Sequence, residues 1–119
     1  MSKPEYEFFP VADVDFTVCP GDDPLITERV LARDPATGVA TRILRYAPGA
    51  DSTPMGVQRH DFWEEVYILQ GSFTDLSLGQ TFGAGMYACR PPGMAHGPWR
   101  SEHGVVTFEV RYPAVREGS

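Results

Sequence analysis

Gln58-Arg59-His60-Asp61-Phe62-Trp63-Glu64-Glu65-Val66-Tyr67-Ile68-Leu69-Gln70-Gly71 is the stretch from which the rest of the chain is read. Gln58 and His60 stand two apart, so on an extended chain their side chains share a face. Glu64 opens a β-run after a short bend, and Val66 and Ile68 continue its face, which sends Glu65 to the opposite side. His60 and Glu64 can therefore converge on one point from neighbouring strands. A second stretch, Gly85-Met86-Tyr87-Ala88-Cys89-Arg90-Pro91-Pro92-Gly93-Met94-Ala95-His96, ends a β-run on a tight Pro-Pro-Gly turn with a histidine three residues later. In a closed barrel such a turn can swing His96 back toward the interior. Two imidazoles and a carboxylate with open positions between them suit Fe(II), Mn(II), Ni(II) or Zn(II).

Outward from these stretches, apolar and β-rich segments recur at Tyr6–Phe9, Val14–Val18, Arg29–Arg33, Val39–Ala47, Phe62–Leu69, Ser72–Leu78, Met86–Arg90 and Val105–Tyr112. Turn residues separate them, as at Pro20-Gly21-Asp22-Asp23, Pro48-Gly49-Ala50-Asp51 and His103-Gly104. In the last segment Val106, Phe108, Val110 and Tyr112 share one face, and Thr107, Glu109 and Arg111 the other. No window carries a helical period. Short strands at this spacing predict an all-β sandwich or barrel, in one domain over residues 1–119.

Charge and composition narrow the function. Sixteen acidic against ten basic residues give a net charge of −6, which argues against a nucleic-acid partner. No apolar run approaches a membrane span, and the first residues lack a secretory pattern, so the expectation is a cytoplasmic protein with no membrane partner. Cys19 and Cys89 form no C-x-x-C pair; Cys89, inside a predicted strand, is expected to be a small buried residue. Arg42, Arg45, Arg59 and Arg90 fall in or beside predicted strands, where an outer face would solvate them and an inner face would offer a planar fork to a carboxylate.

The two stretches resemble the paired motifs of the cupin superfamily. Gly85, Pro91, Gly93 and His96 match the second motif, with Arg100 where an Asn is usual. His60, Glu64 and Gly71 match the first, with Gln58 at the position of its first histidine and Ser52 at that of its opening glycine. The run Glu64-Glu65 followed by Leu69-Gln70-Gly71-Ser72-Phe73-Thr74-Asp75 resembles the cupin-like domain of anti-sigma factors that answer singlet oxygen. It is also similar to small cupin dioxygenases that cleave aromatic ketones and diketones.

The resemblance implies a cupin double-stranded β-helix (jelly-roll) barrel and a homodimer. It makes His60, Glu64 and His96 ligands of one divalent metal ion, with Fe2+ favoured over Zn2+, Mn2+ or Ni2+. Gln58 could coordinate weakly, hold a metal-bound water, or face the cavity without touching the metal. Phe62, Trp63, Trp99 and Phe108 are candidates to wall a pocket for a small-molecule substrate, with Tyr46 and Tyr87 as donors to it and Arg100 near its mouth. His103 is expected to be an exposed turn residue. The preferred expectation is an Fe(II)-type dioxygenase of a small ketone, enol or aromatic compound. A non-redox isomerase, lyase or dehydratase, a ligand-binding sensor module, and a structural cupin with a degraded site are the rivals.

Overall fold

The computed structural model describes residues 3–114. Eight strands make one curled antiparallel sheet: β1 (Thr17–Val18), β2 (Ile26–Arg33), β3 (Ala40–Tyr46), β4 (Phe62–Asp75), β5 (Gln80–Gly83), β6 (Tyr87–Arg90), β7 (Trp99–Arg100) and β8 (Val105–Pro113). Their order is β1-β2-β3-β8-β4-β5, and β6 and β7 also pair with β4. Among the described residues the only helical pieces are two 3-10 turns, Val11–Asp13 and Thr53–Met55, and no helix is long and apolar enough to cross a membrane.

Alternation along the strands decides what faces inward. On β3, Ala40, Arg42, Leu44 and Tyr46 point into the barrel, and on β8 Val105, Thr107, Glu109 and the edge of Arg111 do. Cross-strand register stacks these residues in layers. Leu44, Thr107 and Ile68 form one layer, Arg42, Glu109 and Val66 the next, and Glu64, Arg111 and Arg90 the third. The apolar core is confined to one end, where Ile26, Leu44, Tyr46, Ile68, Phe73, Trp99 and Val105 cluster. There Phe73 stacks on Trp99 at 4.3 Å between ring centroids, and Tyr46 meets Phe73 edge-on at 5.8 Å. One end of the barrel is thus plugged by side chains and the other left polar.

Three expectations are corrected. Tyr6–Phe9 forms no strand; its neighbourhood is held to the sheet by side chains, Lys3 Nζ donating to Thr41 Oγ1 at 2.9 Å and Arg29 Nε to the Val14 carbonyl at 2.6 Å. Phe62–Leu69 and Ser72–Asp75 are not separate strands but parts of β4, which stays continuous because a bulge at Leu69 and the left-handed Gly71 bend it without breaking the ladder, and Leu76–Leu78 lie in the turn that follows. Cys89 is exposed, because its side chain falls on the outer face of β6. The short strands β5 and β7 carry no alternation long enough to be seen in the sequence.

Gly71 is the tightest point of the bend. Its φ is +74°, and a Cβ there would lie 2.0 Å from the Gly104 carbonyl oxygen. Gly85 shares the left-handed conformation (φ +88°) but has open space around it. Gly85→Ala should therefore cost only the conformational penalty, about 1–2 kcal/mol. Gly71→Ala adds a backbone collision and should lose at least about 3 kcal/mol in urea unfolding, or fail to fold. Equal losses at the two positions would show that the Gly71–Gly104 approach does not constrain the fold.

Candidate metal centre

The two motif stretches are laced together by backbone hydrogen bonds. The Gln58 N–H donates to the His96 carbonyl at 2.7 Å and the His96 N–H returns a bond to the Gln58 carbonyl at 3.0 Å. The Gly93 N–H donates to the His60 carbonyl at 2.7 Å, and Arg59 Nη1 to the Gly93 carbonyl at 3.0 Å. Left-handed Gly93 (φ +84°) turns the chain after Pro91-Pro92, so that the segment runs back beside residues 58–60. The His60 and His96 rings consequently lie 5.0 Å apart, tilted by 53°. Phe62 stacks on His60 at 4.5 Å, almost parallel, and fixes the imidazole plane.

Glu64 enters from β4. One potential ligand atom each from His60, Glu64 and His96 lie within 4.8 Å of one another. Glu64 is 3% exposed, and its carboxylate is clamped on both sides by its direct register partners. Arg90 Nη1 donates to Oε1 at 3.0 Å from β6, and Arg111 Nε donates to Oε2 at 2.6 Å from β8. Burial alone would raise the Glu64 pKa, but Arg111 and Arg90 outweigh it and hold the carboxyl down at about 2. Burial, reinforced by the Arg90 guanidinium, pushes His96 down to about 4, and burial lowers His60 too. Near neutral pH the three residues are two neutral imidazoles and a carboxylate, the protonation states a cation requires.

Whether these residues fit a divalent ion is tested by what they lack. Both ring nitrogens of His96 are buried and have no hydrogen-bond partner among the described residues. Buried polar atoms are rarely left so, because each forfeits its hydration. A cation between His60, Glu64 and His96 would satisfy one of them, and the donor set of two nitrogens and an oxygen suits first-row divalent ions. Each Glu64 oxygen accepts one hydrogen bond and retains lone-pair capacity. The residues fit.

The cluster opens on a cavity of about 400 Å3 that runs down the barrel to Tyr46, Phe73 and Trp99. A second charged group lies on its wall, one layer nearer the core. Arg42 donates to Glu109 Oε1 through Nε at 3.0 Å, pairs with it through Nη2 at 2.8 Å, and donates to Glu28 Oε1 through Nη1 at 3.0 Å. Thr107 Oγ1 donates to Glu109 Oε2 at 2.9 Å. Two alternating triads result, Glu28–Arg42–Glu109 and Arg111–Glu64–Arg90. A smaller, apolar pocket of about 190 Å3 lies behind His96, between Val66, Ile68, Met86 and Met94.

A model of the ChrR cupin-like domain matches residues 9–115. The chain belongs to that cupin family. Among solved structures it is similar to an RmlC-like cupin from Shewanella frigidimarina, with 20% identity over 98% of this chain and 97% of that one and a TM-score of 0.71. It is also similar to an acetylacetone dioxygenase from Acinetobacter johnsonii, with 18% identity, 98% and 83% coverage and a TM-score of 0.72. KdgF from a Halomonas species gives 19% identity, 95% and 97% coverage and a TM-score of 0.72. At these identities the likeness establishes the cupin jelly-roll fold and nothing finer. No curated protein matches the chain in sequence.

The structure brings His60, Glu64, His96, Gln58, Tyr46 and Trp99 to one cavity. The Gln58 amide nitrogen is engaged, donating to the Met55 carbonyl at 2.9 Å. Phe62 abuts the site through its stack on His60 and lies 5.0 Å from the Arg111 guanidinium. Four pocket candidates are displaced by alternation. Phe108 shares the outer face of β8 with Tyr112, and Trp63 stacks on Tyr112 there at 6.3 Å. Arg100 points outward because its neighbour Trp99 points in. Tyr87 donates its hydroxyl to Glu65 on the outer face.

Glu65 therefore bonds two tyrosines on the outer face, Tyr112 at 2.9 Å being the other. His103 is exposed, as a turn residue should be. Arg42 and Arg90 take the inward alternative, each a fork for a carboxylate, whereas the sequence assigns no site role to Arg111, Glu109 or Glu28. Their signal was the polar face Thr107-Glu109-Arg111, whose inward direction alternation alone does not set.

The adjacent glutamates give a direct test. Glu64→Gln should weaken zinc affinity at least tenfold, roughly the effect of spoiling a ligand contact. It should also cost about 3 kcal/mol of stability, since two partly buried guanidinium groups lose their anion. Glu65→Gln should leave zinc affinity unchanged. Isothermal titration and urea unfolding of both variants decide it, and the reverse pattern would mean that β4 is out of register by one residue.

Proposed function

We propose that this cupin is a metal-dependent enzyme in which His60, Glu64 and His96 hold one divalent ion and a small organic substrate occupies the adjoining cavity. The favoured reaction is dioxygenation of a small ketone, enol or aromatic compound with Fe2+ as the ion. The observation that carries this reading is the pair of unpartnered, buried His96 nitrogens beside an ionised Glu64 at the wall of a substrate-sized cavity. A bound ion would supply Lewis acidity at a substrate oxygen and, as iron, a site for dioxygen.

The chain's own residues do the rest. Arg90 and Arg111 keep Glu64 charged and fix its orientation. Phe62 holds the His60 ring plane. Trp99, Phe73 and Tyr46 close the barrel below the cavity and exclude water from that side. Burial raises the Tyr46 pKa, so its hydroxyl stays a donor. Gln58 lines the cavity with its amide nitrogen committed to the Met55 carbonyl, and it brings no imidazole where the family motif has one, so three strong ligands would hold the ion.

A non-redox isomerase, lyase or dehydratase is the second reading, and the Glu28–Arg42–Glu109 triad favours it. Those carboxylates give the cavity wall acid–base groups that an oxygen-consuming reaction does not require. Oxygen uptake by protein loaded anaerobically with Fe2+, offered a panel of small enols and hydroxy-aromatic ketones, separates the two. Dioxygenation predicts uptake stoichiometric with substrate loss, absent from His96→Ala. Turnover of the same panel by the zinc form without oxygen would replace it with the second reading.

A further inference from the structure

The proposed site has an imbalance of charge that a neutral substrate would not correct. Arg90 and Arg111 against Glu64 leave the Arg111–Glu64–Arg90 triad at +1 before any ion is bound. The other triad, Glu28–Arg42–Glu109, carries −1 one layer nearer the core and offsets that charge, so the excess comes with the ion. A divalent ion at His60, Glu64 and His96 would add two further positive charges to a partly closed cavity, where electrostatic interactions are screened weakly.

The arginines also have donors to spare. Arg111 uses only Nε on Glu64, and neither of its Nη groups has a hydrogen-bond partner among the described residues. Arg90 uses only Nη1, and its guanidinium lies 5.1 Å from the Trp99 ring. None of these remaining nitrogens is a buried orphan, so each keeps some accessible surface, and both residues line the cavity that His60 and His96 line. A planar fork with two free Nη groups, anchored by its third nitrogen to a ligand carboxylate, is matched to a second carboxylate.

Building on the enzyme reading above, we propose that the substrate is a small carboxylic acid bearing an adjacent oxo, enol or hydroxy oxygen. Its carboxylate is received by the free Nη groups of Arg111, with Arg90 beside it, while the adjacent oxygen faces His60 and His96. Arg111 is then a substrate-binding residue as well as a partner of Glu64, and the acid's charge offsets the excess that the ion creates.

Calorimetric titration with 2-oxobutanoate and its methyl ester tests this in both zinc-loaded and metal-free protein. The acid should bind more tightly than the ester by roughly tenfold or more in either form, as expected where a site loses a charged partner. Arg111→Met should abolish that preference in the metal-free protein and diminish it in the zinc form, with zinc content measured on the same samples. Equal binding of acid and ester, or full preference retained by Arg111→Met at unchanged zinc content, would overturn the proposal. If the protein takes up no zinc, the metal reading fails, and the metal-free titration still decides the role of Arg111. Should Arg111→Met not fold, Arg111→Lys replaces it. A single ammonium does not serve Glu64 and substrate together, so acid affinity should fall about tenfold; unchanged affinity would equally overturn the proposal.

Discussion

The carboxylate of Glu64, held between Arg90 and Arg111, is the interaction on which the rest of the structure depends. Removing a carboxylate from water costs several kcal/mol, and one partner rarely repays it. Here the two guanidinium groups stand at register positions directly across β6 and β8, so the sheet delivers both without long side-chain searches. The clamp also ties three strands at one level of the barrel. A slip of β4 by one residue would bury Glu65, whose present partners are tyrosines on the outer face, and would expose Glu64. Register and site chemistry are therefore one constraint. The same guanidinium groups add to burial in disfavouring imidazolium, which keeps His96 a neutral donor.

A barrel of this length can be filled or left hollow, and this one divides the two. Phe73 stacked on Trp99, with Tyr46 edge-on against Phe73, closes one end with an apolar plug. Above it the inward positions of β3 and β8 turn from Leu44 and Thr107 to Arg42 and Glu109, and then to Arg111. The apolar alternates of β8 lie outside, Phe108 opposite Ile43 and Tyr67 and Tyr112 against Trp63. The interior is consequently a charged cavity standing on a hydrophobic floor. Water is excluded from below, and ionic groups are fixed on the walls.

What the sequence made legible follows from spacing. His60, Glu64 and His96 were found because a bend and a Pro-Pro-Gly turn impose their separations whatever the rest of the chain does, and Glu64 was distinguished from Glu65 by strand alternation. The same alternation failed for β8. Two faces, one polar and one apolar, are equally regular in sequence, and the ordinary assumption that apolar faces inward misplaced Phe108 and overlooked Arg111 and Glu109. Only the ion pairs across to Glu64 and Arg42 set the direction, and these join residues 47 and 67 apart in the chain. Cys89, expected to be buried, is exposed in a strand of four residues, too short to show which face is which. Gly71 was legible as a motif residue, whereas its role of bending one long strand depended on the approach of Gly104.

The central claim is that His60, Glu64 and His96 are assembled to hold a divalent ion. Elemental analysis of the protein as purified, without added metal salts, beside His96→Ala prepared identically, tests it most directly. About one divalent ion per chain in the wild type and little in the variant is the predicted result, since two remaining ligands bind first-row ions weakly. A wild-type chain that carries no metal even after reconstitution, or a variant that keeps full occupancy, would contradict it.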